Sequence, residues 1–222
     1  MGICETRRVE LIGRGREADV FAVDERRVLR RTRDGRDVEP EARLLRYLAE
    51  HGYPVPEVYD VDGPDLVMER LSGPNMSDVA RSQPWRARAL GTTLGRLHRS
   101  LHEVPAPAWL PSVSRERSCV VHLDLHPDNV LMTPRGPVVI DWANSGAGTA
   151  ALDVAMTVVI LRGIELRPHE RLLIRLLLTS MQRSSGVDLR PGIPAAIERR
   201  LADPHLSVAE AALVSRLARR YR

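Results

Sequence analysis

One segment constrains the chain more than any other: Val120-Val121-His122-Leu123-Asp124-Leu125-His126-Pro127-Asp128-Asn129-Val130, followed by Val138-Val139-Ile140-Asp141-Trp142. β-Branched apolar residues lead into and out of a polar stretch broken by Pro127, which predicts strand, loop and strand. The pattern fixes a carboxylate, an amide five residues later and a second carboxylate to the edge of a sheet. Phosphoryl transfer from a nucleotide needs a group to orient the attacking hydroxyl and two oxygen ligands to hold Mg²⁺ against the phosphates. Asp124, Asn129 and Asp141 are candidates for those three parts. His122 and His126 have the four-residue spacing that binds zinc on a helix, but a loop containing Pro127 does not present them that way. His122 is read as a brace for the loop, and His126 as a packed or phosphate-facing residue.

Composition narrows the alternatives. A chain of 222 residues with 43% hydrophobic and 28% charged content folds into one or two modest domains and is not disordered by default. The net charge of +4 and a pI near 9.6 could suggest nucleic acid. The chain has no Lys, however, and its Arg residues lie scattered beside Glu, so the bias is that of a GC-rich, bacterial coding sequence and no nucleic-acid partner is expected. Cys4 and Cys119 form neither a disulfide framework nor a zinc spacing, which fits a reducing cytoplasm. No apolar run approaches the roughly 20 residues of a membrane span, so no membrane partner is expected. Met1-Gly2-Ile3-Cys4-Glu5-Thr6 matches a myristoylation pattern short enough to occur by chance.

The first third alternates as strands do, at residues 9–12, 19–23 and 27–30. Residues 39–50 carry Ala42, Leu45, Leu48 and Ala49 at helical spacing and stop at His51-Gly52. Strands over 57–61 and 65–69 flank the turn Asp62-Gly63-Pro64, and Leu71-Ser72-Gly73-Pro74 reads as a hinge. Beyond it the spacing predicts helices over 84–102, 150–161, 168–183, 193–201 and 207–220.

Gly13-Arg14-Gly15-Arg16-Glu17-Ala18 is a glycine-rich loop between apolar alternations. A dinucleotide-binding turn would require a helix directly after it, and Val20-Phe21-Ala22-Val23 reads as a strand. The loop is either a cover for phosphates or an ordinary hairpin turn. A Walker A loop is ruled out by the missing Lys.

The loop, Arg30, Glu41, the hinge, His122-x-Asp124-x-x-x-x-Asn129 and Ile140-Asp141-Trp142 occur in the order seen in the aminoglycoside phosphotransferase and choline kinase family, and the chain resembles that family over roughly residues 8 to 160. Ala151-Leu152-Asp153-Val154-Ala155 adds to the likeness. The resemblance implies a bilobal, protein-kinase-like α+β fold: an N-terminal nucleotide-binding lobe over 1–71, an antiparallel sheet with one helix, and a larger, mainly helical lobe over 72–222 for catalysis and the acceptor, with nucleotide between them. It implies Asp124 as the catalytic carboxylate, Asn129 and Asp141 as Mg²⁺ ligands, and His122 and Asp153 as supports of the catalytic loop. Gly13, Gly15, Val20, Arg30, Glu41, Met68, Glu69 and Leu71 would serve the nucleotide. ATP is the implied donor, with GTP an open alternative, and the acceptor is a hydroxyl on a small molecule.

Blander readings stay open at several of these positions. Asp124 would also serve as a loop cap, Glu41 as a solvated helix charge, Asp153 as a helix N-terminal charge, and Met68 to Leu71 as a plain edge strand. The chain departs from the family's pattern at Arg30, where Lys is usual; a longer, planar cation shifts the geometry of the Glu41 pair. Two rivals follow. An atypical, RIO-like protein serine kinase shares the compact size, but Trp142 stands where Asp-Phe-Gly would be expected. A nucleotide-binding, inactive regulator draws its support from Arg30 alone. The oligomeric state is not written in the sequence.

Overall fold

A computed structural model describes residues 10–15 and 17–221. The Met1–Thr6 pattern, Cys4, Val9 and Arg16 lie outside the described residues. The chain divides into two compact units, one of residues up to Gly73 with Thr133–Val138, the other of Pro74–Met132 with the residues from Val139 onward.

The first unit is built on a five-stranded sheet: β1 (Glu10–Arg14), β2 (Ala18–Ala22), β3 (Arg27–Thr32), β4 (Val58–Asp62) and β5 (Asp65–Glu69), in the order β1-β2-β3-β5-β4. Every pairing is antiparallel, with Val20 opposite Arg30 and Val28 opposite Met68. The glycine-rich segment is therefore a strand–loop–strand connection, and no helix follows it. Gly63, at φ 53°, makes the tight turn between β4 and β5 that an L side chain would resist. Helix α1 (Glu39–Glu50) opens with Pro40, whose fixed φ suits the first turn, and with two acidic residues that favour the positive end of the helix dipole. Its apolar face buries Ala42, Leu44, Leu45 and Leu48.

The second unit is mainly helical: α2 (Met76–Ser82), α3 (Ala87–His102), α4 (Ala150–Gly163), α5 (Pro168–Ser185), α6 (Ile193–Leu201) and α7 (Val208–Arg220). Two of the helical segments differ most from the sequence expectation. Pro84–Arg86 forms a separate 3₁₀ turn, so the helix expected over 84–102 starts at Ala87. α2 was not expected. Its signal is Asn75, whose side chain accepts from the Asp78 amide and so caps the first turn. Short strands complete the unit: β6 (Cys119–Val121) pairs with β9 (Gly146–Gly148), and β7 (Val130–Thr133) forms a hairpin with β8 (Gly136–Val139), whose tip clusters with the first unit.

α4 is buried almost all round, since β6, α6 and α7 pack against it. Val121, Leu123, Leu152, Met156, Val159, Ile193 and Val214 share that core. The polar loop after β6 thus grows directly out of the most buried part of the unit.

Candidate functional site

Asp124 follows β6 on a loop whose backbone is unusual. Among the described residues, Leu123 and Asp141 alone have positive φ without being glycine, each at 64°. Such conformations cost energy for L residues and persist only where surroundings enforce them. At Leu123 the enforcement is visible, because the Asp153 carboxylate accepts the amides of His122 at 3.1 Å and Leu123 at 2.6 Å. The Leu123 side chain is buried in the α4 core.

His122 ties the two functional stretches together. Its Nδ1 accepts from the Asp124 amide at 3.2 Å, so the ring carries its proton on Nε2 and donates to the Ile140 carbonyl at 3.1 Å. Trp142, buried, lies against the same ring with centroids 4.5 Å apart and donates its indole N–H to the Val139 carbonyl. With both ring nitrogens engaged, His122 has no lone pair left for a metal. The Ile140 amide donates to the Asn129 carbonyl at 3.0 Å, which brings Asp141 next to Asn129 along the chain path.

Asn129 donates from Nδ2 to the Asp124 carbonyl at 2.9 Å and to the Asp124 carboxylate at 3.2 Å. The amide nitrogen is occupied, which turns Oδ1 outward as an acceptor. The Asp141 carboxylate is exposed and makes no hydrogen bond or ion pair among the described residues. An amide oxygen and a carboxylate without protein partners are hard donors of the kind Mg²⁺ prefers.

His126 sits 3.4 Å from one Asp124 oxygen and 3.5 Å from an Asp128 oxygen. Burial opposes a charge on this imidazole, but the two carboxylates outweigh it and lift the pKa to about 9. Asp128 in turn is held near 2, chiefly by its contact with His126, and also meets the Ser77 hydroxyl at the start of α2. Burial works to raise the Asp124 carboxyl; contact with His126 and the charge of Arg200 more than offset it and keep it below the usual range.

Behind Asp153 lies a group that sequence reasoning missed. His98 Nδ1 and His102 Nε2 meet Asp153 Oδ2 at 3.2 and 2.9 Å, and His98 Nε2 meets the Thr157 hydroxyl at 3.0 Å. Burial alone would raise the Asp153 carboxyl, yet the hydrogen bonds from His102 and His98 hold it far below the ordinary range. A signal was present: His98 and His102 fall one turn apart on the apolar face of α3, beside Leu97 and Leu101.

The remaining expected residues belong to the first unit. Arg30 and Glu41 form an ion pair, with side chains only 13% and 12% exposed, so Glu41 is not a freely solvated helix charge. Arg30 Nε stays buried without a partner, which shows that Glu41 does not saturate the guanidinium. Val20 faces Arg30 across β2 and β3. The loop holding Gly13 and Gly15 is tied back by Arg33, which reaches the Gly15 carbonyl at 2.9 Å and the Asp19 carboxylate at 2.6 Å. Met68 and Glu69 end β5, where Glu69 pairs with Arg135 at 2.6 Å and its amide bonds the Glu57 carbonyl; Leu71 follows, half-buried.

No helix among the described residues is long and apolar enough to cross a membrane. No match was found among curated proteins. Solved structures do resemble the chain. A thermostable variant of aminoglycoside phosphotransferase APH(4)-Ia, in ternary complex with AMP-PNP and hygromycin B, aligns with a TM-score of 0.66 at 16% identity over 97% of this chain and 93% of its own. An aminoglycoside-3'-phosphotransferase of type VIII gives 0.58 at 21% identity over 100% and 95%. A choline/ethanolamine kinase family protein from Mesorhizobium loti gives 0.51 at 20% over 96% and 94%. At these identities the likeness concerns the α+β, protein-kinase-like fold. The profile described as "Phosphotransferase enzyme family" matches residues 8–118 and 106–180, well over half of the sequence. The polar loop after β6 and the residues that hold it are thus those of a member of the phosphotransferase enzyme family, to which this chain belongs.

Proposed function

We propose that the protein transfers the γ-phosphoryl group of ATP to a hydroxyl of a small molecule. The observation that carries this reading is the Asp124–Asn129 pair, an anionic carboxylate and an oriented amide on a loop whose Asn129 carbonyl accepts the amide of Ile140, the residue before Asp141. Mg²⁺, when bound, would neutralise charge developing on the phosphates. Asn129 Oδ1 and Asp141 would hold it. Asp124, with its pKa kept low, is a weak base suited to orienting the acceptor hydroxyl and taking its proton late, as a loose transition state requires. The partly unsaturated Arg30 guanidinium supports a role on phosphate oxygens, with Glu41 fixing its direction. The glycine loop with Val20, and the segment Met68, Glu69 and Leu71, would hold the rest of the nucleotide; GTP would fit the same groups.

The acceptor in this reading is a neutral or weakly charged alcohol. Polycationic acceptors call for an acid-lined site. From Ala150 to Arg222 Arg outnumbers Asp plus Glu, and Asp153, the acid nearest the catalytic loop, is buried and engaged. Arg30 in place of Lys is the one observation favouring an inactive nucleotide-binding regulator.

γ-Labelled ATP with Mg²⁺ against a panel of hydroxyl compounds separates these readings. Labelled small-molecule product is expected, and Asp124→Asn should lower the rate by about 10²–10⁴-fold while nucleotide binding changes little. Unchanged turnover in that variant would remove Asp124 from the chemistry. Label on protein alone would make the chain a protein kinase, and binding without turnover would make it a regulator.

A further inference from the structure

α3 and α4 each present two polar side chains one turn apart: His98 and His102 from α3, Asp153 and Thr157 from α4. His98, Asp153 and Thr157 are fully enclosed, and the His102 side chain is 7% exposed. The tautomers that satisfy the surrounding groups give the hydrogen bonds of these four a direction, and that assignment leaves one proton over.

The Thr157 hydroxyl lies 2.7 Å from the Leu125 carbonyl. A carbonyl carries no hydrogen, so Thr157 gives its one proton there and accepts from His98 Nε2 at 3.0 Å. His98 therefore has a proton on Nε2. Its Nδ1 faces Asp153 Oδ2 at 3.2 Å, and two lone pairs do not face each other at that distance, so a second proton lies between them. Asp153 Oδ2 also receives the Nε2 proton of His102, and Oδ1 receives the amides of His122 and Leu123. A carboxylate accepting from four donors is an anion. His102 takes no second proton, because its Nδ1 is buried without a partner and an N–H there would be orphaned.

We propose that His98 carries a captive proton ion-paired with Asp153, and that with Thr157 it acts as a positioning residue for the loop 122–125. The ionisable groups around His98 are Asp153 on α4, His102 on its own helix and His122 on the loop. Burial is the largest influence on His98 and pushes the imidazole below its ordinary pKa, while the adjoining Asp153 anion pulls the other way; against that pull of burial, the count of donors argues for the proton. A lone carboxylate in this interior would be far too costly, whereas the pair is neutral overall and every proton has an acceptor. The anion so maintained holds the amide of Leu123 at its positive φ, while Thr157 holds the Leu125 carbonyl. Asp124 is gripped from both sides. The proton follows from geometry alone; its bearing on catalysis rests on the role proposed above for Asp124.

The test uses the whole protein labelled with ¹⁵N-histidine. Wild type should show an imidazole with both nitrogens protonated that does not titrate from neutral pH to about pH 9, unlike His126, which begins to lose its proton as pH approaches 9, and that non-titrating signal should vanish in His98→Gln. A bare ring nitrogen at His98 at neutral pH would overturn the proposal, as would stoichiometric zinc in the purified protein, since the same three ligand atoms lie within 4.8 Å of one another and a metal would replace the proton. Amide hydrogen exchange supplies a second reading that needs no acceptor. In His98→Leu the Leu123 amide should exchange at least tenfold faster while amides in β2 and β3 do not change, and His98→Gln, which keeps a donor, should restore most of the protection. Equal exchange in the two variants would sink the positioning role. If His98→Leu does not fold, the wild-type ring spectrum still decides. Asp124 could lose its proposed part in the chemistry with all of these outcomes intact.

Discussion

Leu123 and Asp141 hold the same left-handed conformation for different reasons, and each is adjacent to or part of the site. A left-handed Leu costs about 1–2 kcal/mol, which the Asp153 clamp and burial of its side chain offset, whereas Asp tolerates the region better. The next residue with a stored interaction is His126. Its folded pKa of about 9 exceeds its ordinary 6.5, so its charge stabilises the fold fully below pH about 6.5 and the contribution fades as pH rises through 9. The full shift corresponds to at most about 3 kcal/mol. In metal-free protein, melting temperature should therefore fall between those two pH values in wild type and stay flatter in His126→Asn; parallel curves would show that the two carboxylates do not hold the charge. The spacing of the loop made Asp124, Asn129 and the His122 brace readable, since all lie within a few residues of one another. His98 was hidden because its partner is more than fifty residues away in sequence, and only the packing of α3 near α4 brings them together.

α3 and α5 approach each other through glycine. A Cβ on Gly91 would lie 2.2 Å from the Leu177 carbonyl oxygen, and one on Gly95 would lie 2.3 Å from that of Met181. Both obstacles are backbone, so neither can swing away. Alanine has the better helix propensity by about 1 kcal/mol, and overpacking of this kind costs about 1–3 kcal/mol or more. Gly91→Ala should therefore lower stability by about 1–3 kcal/mol in urea unfolding, and an unchanged midpoint would show that the two helices separate without cost. Because α3 carries His98, the same variant should weaken the clamp on Leu123. Period and capping made the long helices readable: α6 spans the expected residues, and α4 and α5 extend two residues past their expected ends. The strand positions of the five-stranded sheet followed from alternation and turn glycines, whereas β9, three residues of glycine and alanine, shows no alternation to read. The placing of β5 between β3 and β4 did not, because sheet order depends on long-range pairing that no local pattern contains. α2 was passed over because seven residues show too little periodicity, although its Asn75 cap was in plain view.

At the scale of the whole molecule, the proposed reaction predicts a linkage between ligand and stability. A ligand that binds the native chain alone stabilises it by RT ln(1 + [L]/Kd), about 2.7 kcal/mol at a hundredfold excess over Kd. For a chain of this size that corresponds to a rise in melting temperature of roughly 5–10 °C. ATP with Mg²⁺ should produce such a rise, and ATP with EDTA a smaller one, because Asn129 and Asp141, as proposed, would hold the ion and it would offset the charge of the phosphates. Asp141→Asn removes a carboxylate that has no partner among the described residues, so the fold should be little changed. In that variant the melting temperatures with Mg²⁺ and with EDTA should converge, while the rise due to nucleotide itself remains. If the variant instead keeps the full Mg²⁺-dependent increment, the ion is held elsewhere, and the exposed carboxylate after Ile140 has some other task. If wild type gives no rise with either mixture, nucleotide is not the donor. The increments need no acceptor, which makes this the one measurement on the reaction that can be made before the substrate is known.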